Sequence, residues 1–342
     1  MSEEAGFTER GLIASFRERF GETGERTILG IGDDAAVIRT GKDRLVITTD
    51  SFAEWVHFRV DHIAPDQLGE KMVAATVSDC AAMGCAPRWI TVSLAMAAET
   101  PAHRIQQIYD GLKRGCEKYG CDLVGGDTIR AMSDLCVTLT AVGEPWGERI
   151  LTRSGAMEGD DLYVTGRLGG PMAALLLLQH APERSTEAMF RGAMFRYLKP
   201  EARVAEGRLL AEKLGASAAI DLSDGLSIDI HHLAGESALG FHVQREAVPI
   251  LPSAIAVAET LEVPADLLAL HGGEEFELLF TLDPGREEEV YAVFDEAGLT
   301  PPTRIGMAVP QEEGLMLIDK KGEGEPLIEA GFEHFGGEEG SE

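Results

Sequence analysis

A subset of the acidic residues lies beside glycines or at the ends of predicted strands and helices, rather than on polar helix faces. Carboxylates that converge repel one another, and two unit charges 4 Å apart cost about 4 kcal/mol at an effective dielectric constant of 20. A converging set must therefore take up protons or bind cations. Many hard oxygen ligands favour Mg²⁺, which is typically held by one or two carboxylates together with substrate phosphates. The residues concerned are Asp33, Asp34, Asp50, Asp79, Asp127, Asp221, Asp224 and Asp229.

Glycines accompany these acids repeatedly. Glycine allows backbone N–H groups to approach a phosphate closely, so acids and glycines together indicate metal-bridged phosphate chemistry. A second interpretation stays open for any single acid, because an Asp at a strand end is often a turn or helix-capping residue, and Ser223 or Asp224 could cap the helix that follows. The recurrence of the pattern favours the metal site for the whole set. The glycines are Gly32, Gly125, Gly126, Gly225, Gly272 and Gly273.

Several familiar phosphate-binding signatures are absent from the sequence. It contains no Gly-x4-Gly-Lys-Ser/Thr, no Asp-Phe-Gly and no His-Arg-Asp, which excludes P-loop enzymes and protein kinases. Residues 30–35 match the loose Gly-x-Gly-x-x-Ala dinucleotide pattern. Asp33 and Asp34 would repel a bare pyrophosphate there, so we reject a Rossmann site.

The composition excludes other classes of partner. The 342 residues include 30 Lys and Arg against 58 Asp and Glu, a net charge of -28, which disfavours nucleic acids and anionic membrane surfaces. No signal peptide is predicted, and the longest apolar run, residues 173–178, is too short to span a bilayer. The 5 Cys leave one unpaired in any disulfide scheme. We therefore expect free thiols and a soluble, cytoplasmic protein without nucleic-acid or membrane partners.

Strands and helices alternate along the chain and must position the acids. This alternation predicts two α/β or α+β domains: residues 1–147, residues 148–335, and an acidic flexible tail at 336–342. The predicted helices cover about 8–20, 65–83, 101–119, 169–180, 200–214 and 226–239, with Gly84 as the C-cap of the second. The predicted strands cover 36–39, 44–50, 89–96, a strand ending before residues 125–128, 135–142, 162–165, 218–222 and 275–282.

Seven short motifs follow one another in a characteristic order. They are Gly-Ile-Gly-Asp-Asp-Ala-Ala-Val at 30–37, Thr-Thr-Asp-Ser at 48–51 with His57 after it, Ser-Asp-Cys-Ala-Ala-Met-Gly at 78–84, Gly-Gly-Asp-Thr at 125–128, Leu-Thr-Arg-Ser-Gly-Ala at 151–156, Asp-Leu-Ser-Asp-Gly-Leu at 221–226 and Gly-Gly-Glu-Glu-Phe-Glu at 272–277. In this order they resemble the thiamine-monophosphate kinase family, within the aminoimidazole ribonucleotide synthetase-like superfamily.

The resemblance implies a fold and a reaction. The fold would be α+β with α/β-type units: an N-terminal ATP- and Mg-binding domain whose strands form a homodimer, and a C-terminal α/β domain that completes the active site. The reaction would be direct in-line transfer from ATP to thiamine monophosphate, the final step of thiamine diphosphate biosynthesis.

The resemblance also implies site residues. Several Mg²⁺ ions would be held by Asp33, Thr48 (through its backbone or hydroxyl), Thr49, Asp50, Asp79, Asp127, Asp221 and Asp224. ATP, the co-substrate, would contact Tyr109, Gly126, Asp127, Arg153 and Ser223. Thiamine monophosphate would contact His57, Glu274 and Phe332, the last standing where related sequences often carry Tyr. The catalytic residues would be Asp127, Asp224 and Arg153.

Two alternatives remain. The first is another ATP-dependent enzyme of the superfamily: an aminoimidazole ribonucleotide synthetase, a selenophosphate synthetase or a hydrogenase-maturation protein. Selenophosphate synthetases generally need an early Cys or selenocysteine, whereas the first Cys here is Cys80, inside a predicted helix. The second is a non-catalytic acidic metal-binding module, against which the absence of EF-hand loops speaks.

Overall fold

The computed structural model describes residues 9–20, 25–41 and 43–332. Its first half is built on a six-stranded sheet with the order β1-β2-β3-β6-β4-β5. Among the described strands of this sheet, only β4 and β5 run parallel. The elements of this half are α1 (Glu9–Phe20), β1 (Thr27–Leu29), β2 (Ala36–Thr40), β3 (Asp43–Ala53), α2 (Pro65–Ala82), β4 (Cys85–Met96), α3 (Ala102–Tyr119), β5 (Asp122–Arg130) and β6 (Cys136–Pro145).

The second half is built on a seven-stranded sheet with the order β13-β12-β9-β11-β7-β10-β8, in which β9 and β12 are parallel. Helices cover this sheet, so both halves mix strands and helices, as predicted. The elements are β7 (Asp161–Val164), α4 (Gly170–His180), α5 (Arg191–Leu198), α6 (Val204–Leu209), β8 (Ala218–Asp221), α7 (Leu226–Ser237), β9 (Gly240–Gln244), α8 (Pro252–Leu261), α9 (Ala265–His271), β10 (Leu278–Leu282), α10 (Glu287–Glu296), β11 (Thr303–Val309), β12 (Leu315–Ile318) and β13 (Gly324–Pro326).

Helices α2 and α3 pack on one face of the first sheet. Pro65 opens α2, where its missing N–H costs nothing, and Gly84 follows the helix at φ +65°. The two helix backbones touch, because a Cβ on Gly69 would lie 2.1 Å from the Ile108 carbonyl oxygen. This close packing fixes α2, and with it Asp79, against the sheet.

The opposite face of the first sheet is polar and exposed. Hydroxyls pair across β3 and β6 there: Thr49 lies 2.9 Å from Thr140, and Ser51 lies 2.8 Å from Thr138. Side chains alternate along a strand, so Thr48 and Asp50 point the other way, toward α2. The alternation therefore separates the predicted ligands Thr48 and Thr49 onto different faces.

Helix α2 also packs against the second half. Its Ala81 and Ala82 share a core cluster with Leu151 and Phe280. A Cβ on Gly207 of α6 would lie 2.2 Å from the Ala81 carbonyl oxygen, so α6 and α2 are in backbone contact. One helix is thus part of two cores, which brings Asp79 next to strands of the second sheet.

Several elements differ from the sequence-based expectations, and the helices and strands from β9 to α9 and from α10 to β13 were not predicted. Residues 125–128 lie inside β5 and not after it. The strand expected at 275–282 begins only at Leu278, because Glu274 and Phe276 have φ angles of +62° and +51°, which a strand cannot accommodate. Helix α5 was not predicted at all, and the helix expected at 200–214 begins at Val204.

The last strand of the first sheet ends at Pro145, and the first strand of the second begins at Asp161. The domain limits at 147 and 148 stay a prediction, and the predicted tail lies outside the described residues. Within the described part of the chain, no helix is long and apolar enough to cross a membrane.

Candidate active site

A cavity of about 690 Å³ lies between the two halves of the molecule. Its walls come from the end of β3 and the loop after it, from α2 and α4, and from the segments after β8 and before β10. It brings together nine of the residues predicted for metal, ATP or substrate binding: Thr49, Asp50, His57, Asp79, Asp221, Ser223, Asp224, Glu274 and Phe332.

A cluster of carboxylates forms the inner end of the site. One carboxylate oxygen from each of Asp34, Asp79 and Asp221 lies within 4.8 Å of the other two. Thr48 donates its hydroxyl hydrogen to Asp79. The Oδ2 atom of Asp34 is buried without a hydrogen-bond partner. Three convergent carboxylates and an unsatisfied buried oxygen form a donor set that suits a hard divalent cation.

Burial and mutual repulsion raise the pKa of these carboxyl groups. The pKa of Asp221 rises to about 8, mainly through burial and then through the charge of Asp34. The pKa of Asp79 lies well above its usual range, mainly because the group is buried and then because of the charges of Asp50 and Asp221. Burial also raises the pKa of Asp50. A bound cation would relieve this repulsion, since it stabilises the ionised forms.

Arg153 holds the glycine-rich segment before β2. Its guanidinium donates to Asp34 Oδ1 over 2.6 and 3.2 Å, and its backbone N–H donates to Asp33 Oδ2 over 3.1 Å. The pKa of Asp33 is raised to about 7 by burial and by Asp34, although Arg153 opposes the shift. Arg153 therefore places one cation at the edge of the acid cluster.

Asp34 is a site residue that the ligand prediction omitted. The motif at 30–37 contains both acids, but only Asp33 was assigned to metal. In the structure Asp34 has the fully buried side chain and faces Asp79 and Asp221, while Asp33 receives the Arg153 backbone N–H. The signal was present as two adjacent acids after a glycine. Which of them faces the cluster depends on how the chain enters β2.

Two segments of the second half are joined by backbone hydrogen bonds at the cavity. Glu274 N donates to Ser223 O over 2.7 Å, and Phe276 N donates to Leu222 O over 2.8 Å. Asp229 stabilises the turn that follows Ser223, because its Oδ2 accepts a hydrogen bond from Gly225 N over 3.0 Å. Asp229 thus supports the loop that presents Ser223 and Asp224.

An aromatic group forms the outer part of the cavity. The ring of His57 lies with its centroid 6.1 Å from those of both Phe52 and Phe332. His57 Nδ1 accepts the backbone N–H of Ala53 over 3.0 Å, so the neutral ring carries its proton on Nε2. Phe332 is 43% exposed, and its backbone N–H points to Asp224 O at 3.4 Å. An aromatic wall and a carboxylate cluster therefore share one cavity.

Three predicted residues lie outside the cavity lining and away from the acid cluster. Asp127 on β5 pairs with Ser93 on β4. Ser93 pairs with Thr138 on β6, and Thr138 pairs with Ser51 on β3. Three strand spacings, about 14 Å, therefore separate the backbone of Asp127 from that of β3. Gly126 beside it and Tyr109 on α3 also lie outside the cavity lining. Thr49 lines the cavity, but its hydroxyl donates to Leu139 O at 3.1 Å. Within one chain, Tyr109, Gly126 and Asp127 do not reach the acid cluster.

Two family models match the chain, one in each of the two halves described above. Residues 32–144 match the family model of the AIR synthase related protein, N-terminal domain. Residues 157–318 match that of the AIR synthase related protein, C-terminal domain. Both matches agree with the predicted two-domain fold.

Full-length relatives decide the family. Thiamine-monophosphate kinase of Escherichia coli (strain K12) is 36% identical over 330 residues, covering 96% of this chain and 98% of that protein. The chain belongs to the thiamine-monophosphate kinase family. The enzyme of the same name from Bacillus subtilis (strain 168) is 32% identical over 313 residues, covering 90% of this chain and 93% of that protein.

Solved structures agree with this family assignment. The structure of AaThiL complexed with AMPPCP and TMP has a TM-score of 0.83 and 30% identity, and covers 98% of this chain and 99% of that one. Hydrogenase Maturation Protein HypE in complex with ATP has a TM-score of 0.68 at 20% identity over 95% of this chain. The second match shows a shared fold only.

Proposed function

We propose that this protein phosphorylates thiamine monophosphate to thiamine diphosphate by direct in-line transfer from ATP, assisted by Mg²⁺. One observation carries the proposal: a single cavity joins a carboxylate cluster to the aromatic wall of His57 and Phe332, in a chain of the thiamine-monophosphate kinase family. The cluster suits metal-bound phosphates, and the wall suits a flat heteroaromatic ring.

The acids would hold the metal ions. Asp34, Asp79 and Asp221 form the inner set, and Asp50 and Asp224 line the same cavity. Mg²⁺, when bound there, neutralises the charge on the phosphates of ATP and of the acceptor. The acceptor phosphate is itself the nucleophile, so the protein needs no covalent intermediate, and its task is to position two anions in line.

The chain's other groups position the reactants. Arg153 stands beside Asp34 and could form a bidentate contact with a transferring phosphate. His57 lies on the aromatic wall at the acceptor end. Phe332 supplies a stacking surface, as a Tyr at this position would. Unlike Tyr, Phe332 has no hydroxyl and cannot donate a hydrogen bond from its side chain. Ser223 and Asp224 are held in place by the hydrogen-bonded loop above Asp229.

A homodimer would bring the remaining predicted residues to a site. Gly126 and Asp127 lie on β5, three strands from β3, and Tyr109 lies on α3, outside the cavity lining of its own chain. Strand β5 is the edge of that sheet and exposes Val124 by 57% and Ile129 by 53%. Pairing of two first sheets would cover these residues and place Asp127 of one copy near the other copy.

The protein would act in a reducing compartment. The structure places four of its cysteines in buried positions, and all five as free thiols. This agrees with a cytoplasmic enzyme whose small substrates are ATP and thiamine monophosphate.

The decisive assay compares possible acceptors. With ATP and Mg²⁺, the purified protein should phosphorylate thiamine monophosphate but neither thiamine nor an aminoimidazole precursor, and EDTA should abolish turnover. Asp224→Asn should lower kcat at least a hundredfold with an unchanged fold. Asp295→Asn, an exposed residue of α10, is the control and should keep normal activity. Full activity in EDTA, or turnover of the aminoimidazole precursor instead, would contradict the proposal.

A further inference from the structure

Lys71 of α2 is a lysine buried inside the wall of the cavity. Its side chain is 4% exposed, and Nζ lies 2.8 Å from Oε2 of Glu274. Nζ also lies 4.3 Å from the ring centroid of Tyr197 on α5. A buried ammonium is costly unless it is paired, and the carboxylate and the aromatic face both compensate here. Helix α2, helix α5 and the segment before β10 therefore meet at the Lys71 ammonium group.

Glu274 is held from a second side by its own backbone. Its φ of +62° is one that side chain-bearing residues rarely adopt. The backbone N–H donates to Ser223 O over 2.7 Å, which stabilises this conformation. The carboxylate is one-third exposed and lines the cavity. The main chain and Lys71 together restrain this carboxylate at the wall of the cavity.

We infer that Lys71 is a positioning residue that orients the Glu274 carboxylate to accept a hydrogen bond from the amino group of the substrate's aminopyrimidine ring. The inference rests on the proposed function and adds which part of the substrate is read. An ionised carboxylate only accepts hydrogen bonds, so its partner must be a donor. The amino group is such a donor, whereas the thiazolium ring carries charge but no N–H.

A purely structural role for Lys71 has different consequences. If the ion pair only tied α2 to the second half, its loss would lower stability and kcat without a selective change in substrate affinity. A positioning role instead changes KM for thiamine monophosphate, depends on Glu274 and disappears with a substrate that lacks the amino group. These differences define the experiment.

Lys71→Met keeps the length and apolar stem of the side chain and removes the charge. We expect it to raise KM for thiamine monophosphate at least tenfold, with kcat within threefold and KM for ATP unchanged. In a Glu274→Gln background the same substitution should add less than twofold, since the two residues act together. With oxythiamine monophosphate, which lacks the amino group, wild type and Lys71→Met should have KM values within twofold of each other.

Lys118→Met is the matched control. Lys118 of α3 pairs with Glu201 over 2.9 Å, outside the cavity lining. Its substitution should leave both KM values unchanged. Lys71→Gln retains a donor for Glu274 and serves if Lys71→Met does not fold; it should raise KM three- to tenfold.

An unchanged KM in the folded Lys71 variant overturns the inference, as does full additivity with Glu274→Gln or an equal effect on oxythiamine monophosphate. Failure of the proposed function is a separate result, because wild-type protein would then show no transfer to thiamine monophosphate at all.

Discussion

At the scale of residues, buried carboxylates with different partners do different work. Glu277 has a fully buried side chain but is bonded to Arg203, Arg196 and Thr165, and these partners lower its pKa against the effect of burial. Asp79 and Asp221 face other acids instead. The first arrangement holds the fold together, whereas the repulsion in the second is relieved by bound protons or by a cation. Burial alone does not distinguish them; the sign of the nearest charge does.

Glu275 gives a pH-dependence that can be measured without ligand. Its Oε1 accepts the Gly169 N–H and its Oε2 is buried without a partner, so burial raises its pKa to about 8. The folded protein therefore holds this proton more tightly than the unfolded chain, and stability falls as pH rises from the unfolded pKa toward 8. The slope contributed by one group is at most about 1.4 kcal/mol per pH unit.

We expect Glu275→Gln to have a flatter profile of unfolding free energy between pH 6 and 9 than the wild type. Denaturant unfolding at several pH values, with EDTA present for both proteins, measures the difference. Parallel profiles for the two proteins would show that Glu275 is ionised in the folded state.

At the scale of elements, the loop between β3 and α2 forms the mouth of the cavity. It carries His57 inward and Trp55 outward, the latter 59% exposed with φ +72° and with Arg59 5.2 Å from its ring centroid. His57 and the indole of Trp55 both line the cavity. A ligand that fills the aromatic end must change the surroundings of the indole.

Thiamine monophosphate should therefore change the tryptophan fluorescence of the wild type by at least a tenth, and Trp55→Phe should remove this change. Trp89→Phe is the control, because Trp89 lies on β4 outside the cavity lining and its loss should leave the ligand-induced signal intact. A signal that persists in Trp55→Phe and vanishes in Trp89→Phe would place the ligand elsewhere.

At the scale of the whole molecule, the charge of -28 separates into a site and a surface. In the proposed function, the converging acids bind Mg²⁺ and so make phosphate binding possible. Many of the other acids that the structure describes are exposed, and their charge keeps copies apart unless an apolar contact favours association. The proposed dimer would use the exposed edge of the first sheet as such a contact.

Ile129→Asp should convert the dimer to a monomer of 36.8 kDa, because a carboxylate would enter the covered edge of β5. Light scattering after size-exclusion chromatography measures the mass, and kinase activity should fall at least tenfold with it. Ile255→Asp, on α8, is a control that should stay dimeric. A wild type that runs as a fully active monomer would contradict both the dimer and the proposed role of Asp127.

The sequence by itself determined the family, most helices and strands, and most acids of the site, because these depend on local patterns. Pro65 and Gly84 located α2, periodicity located α3, and the motif order pointed to Asp79, Asp221, His57 and Glu274. It could not decide which of Asp33 and Asp34 faces the cluster, that Asp127 lies three strands away, or that Lys71 reaches Glu274 over 203 positions. Those facts depend on how α2 packs between two sheets and on which face of a strand each side chain occupies. Only the tertiary structure sets these, since contacts between distant segments leave no local signal in the chain.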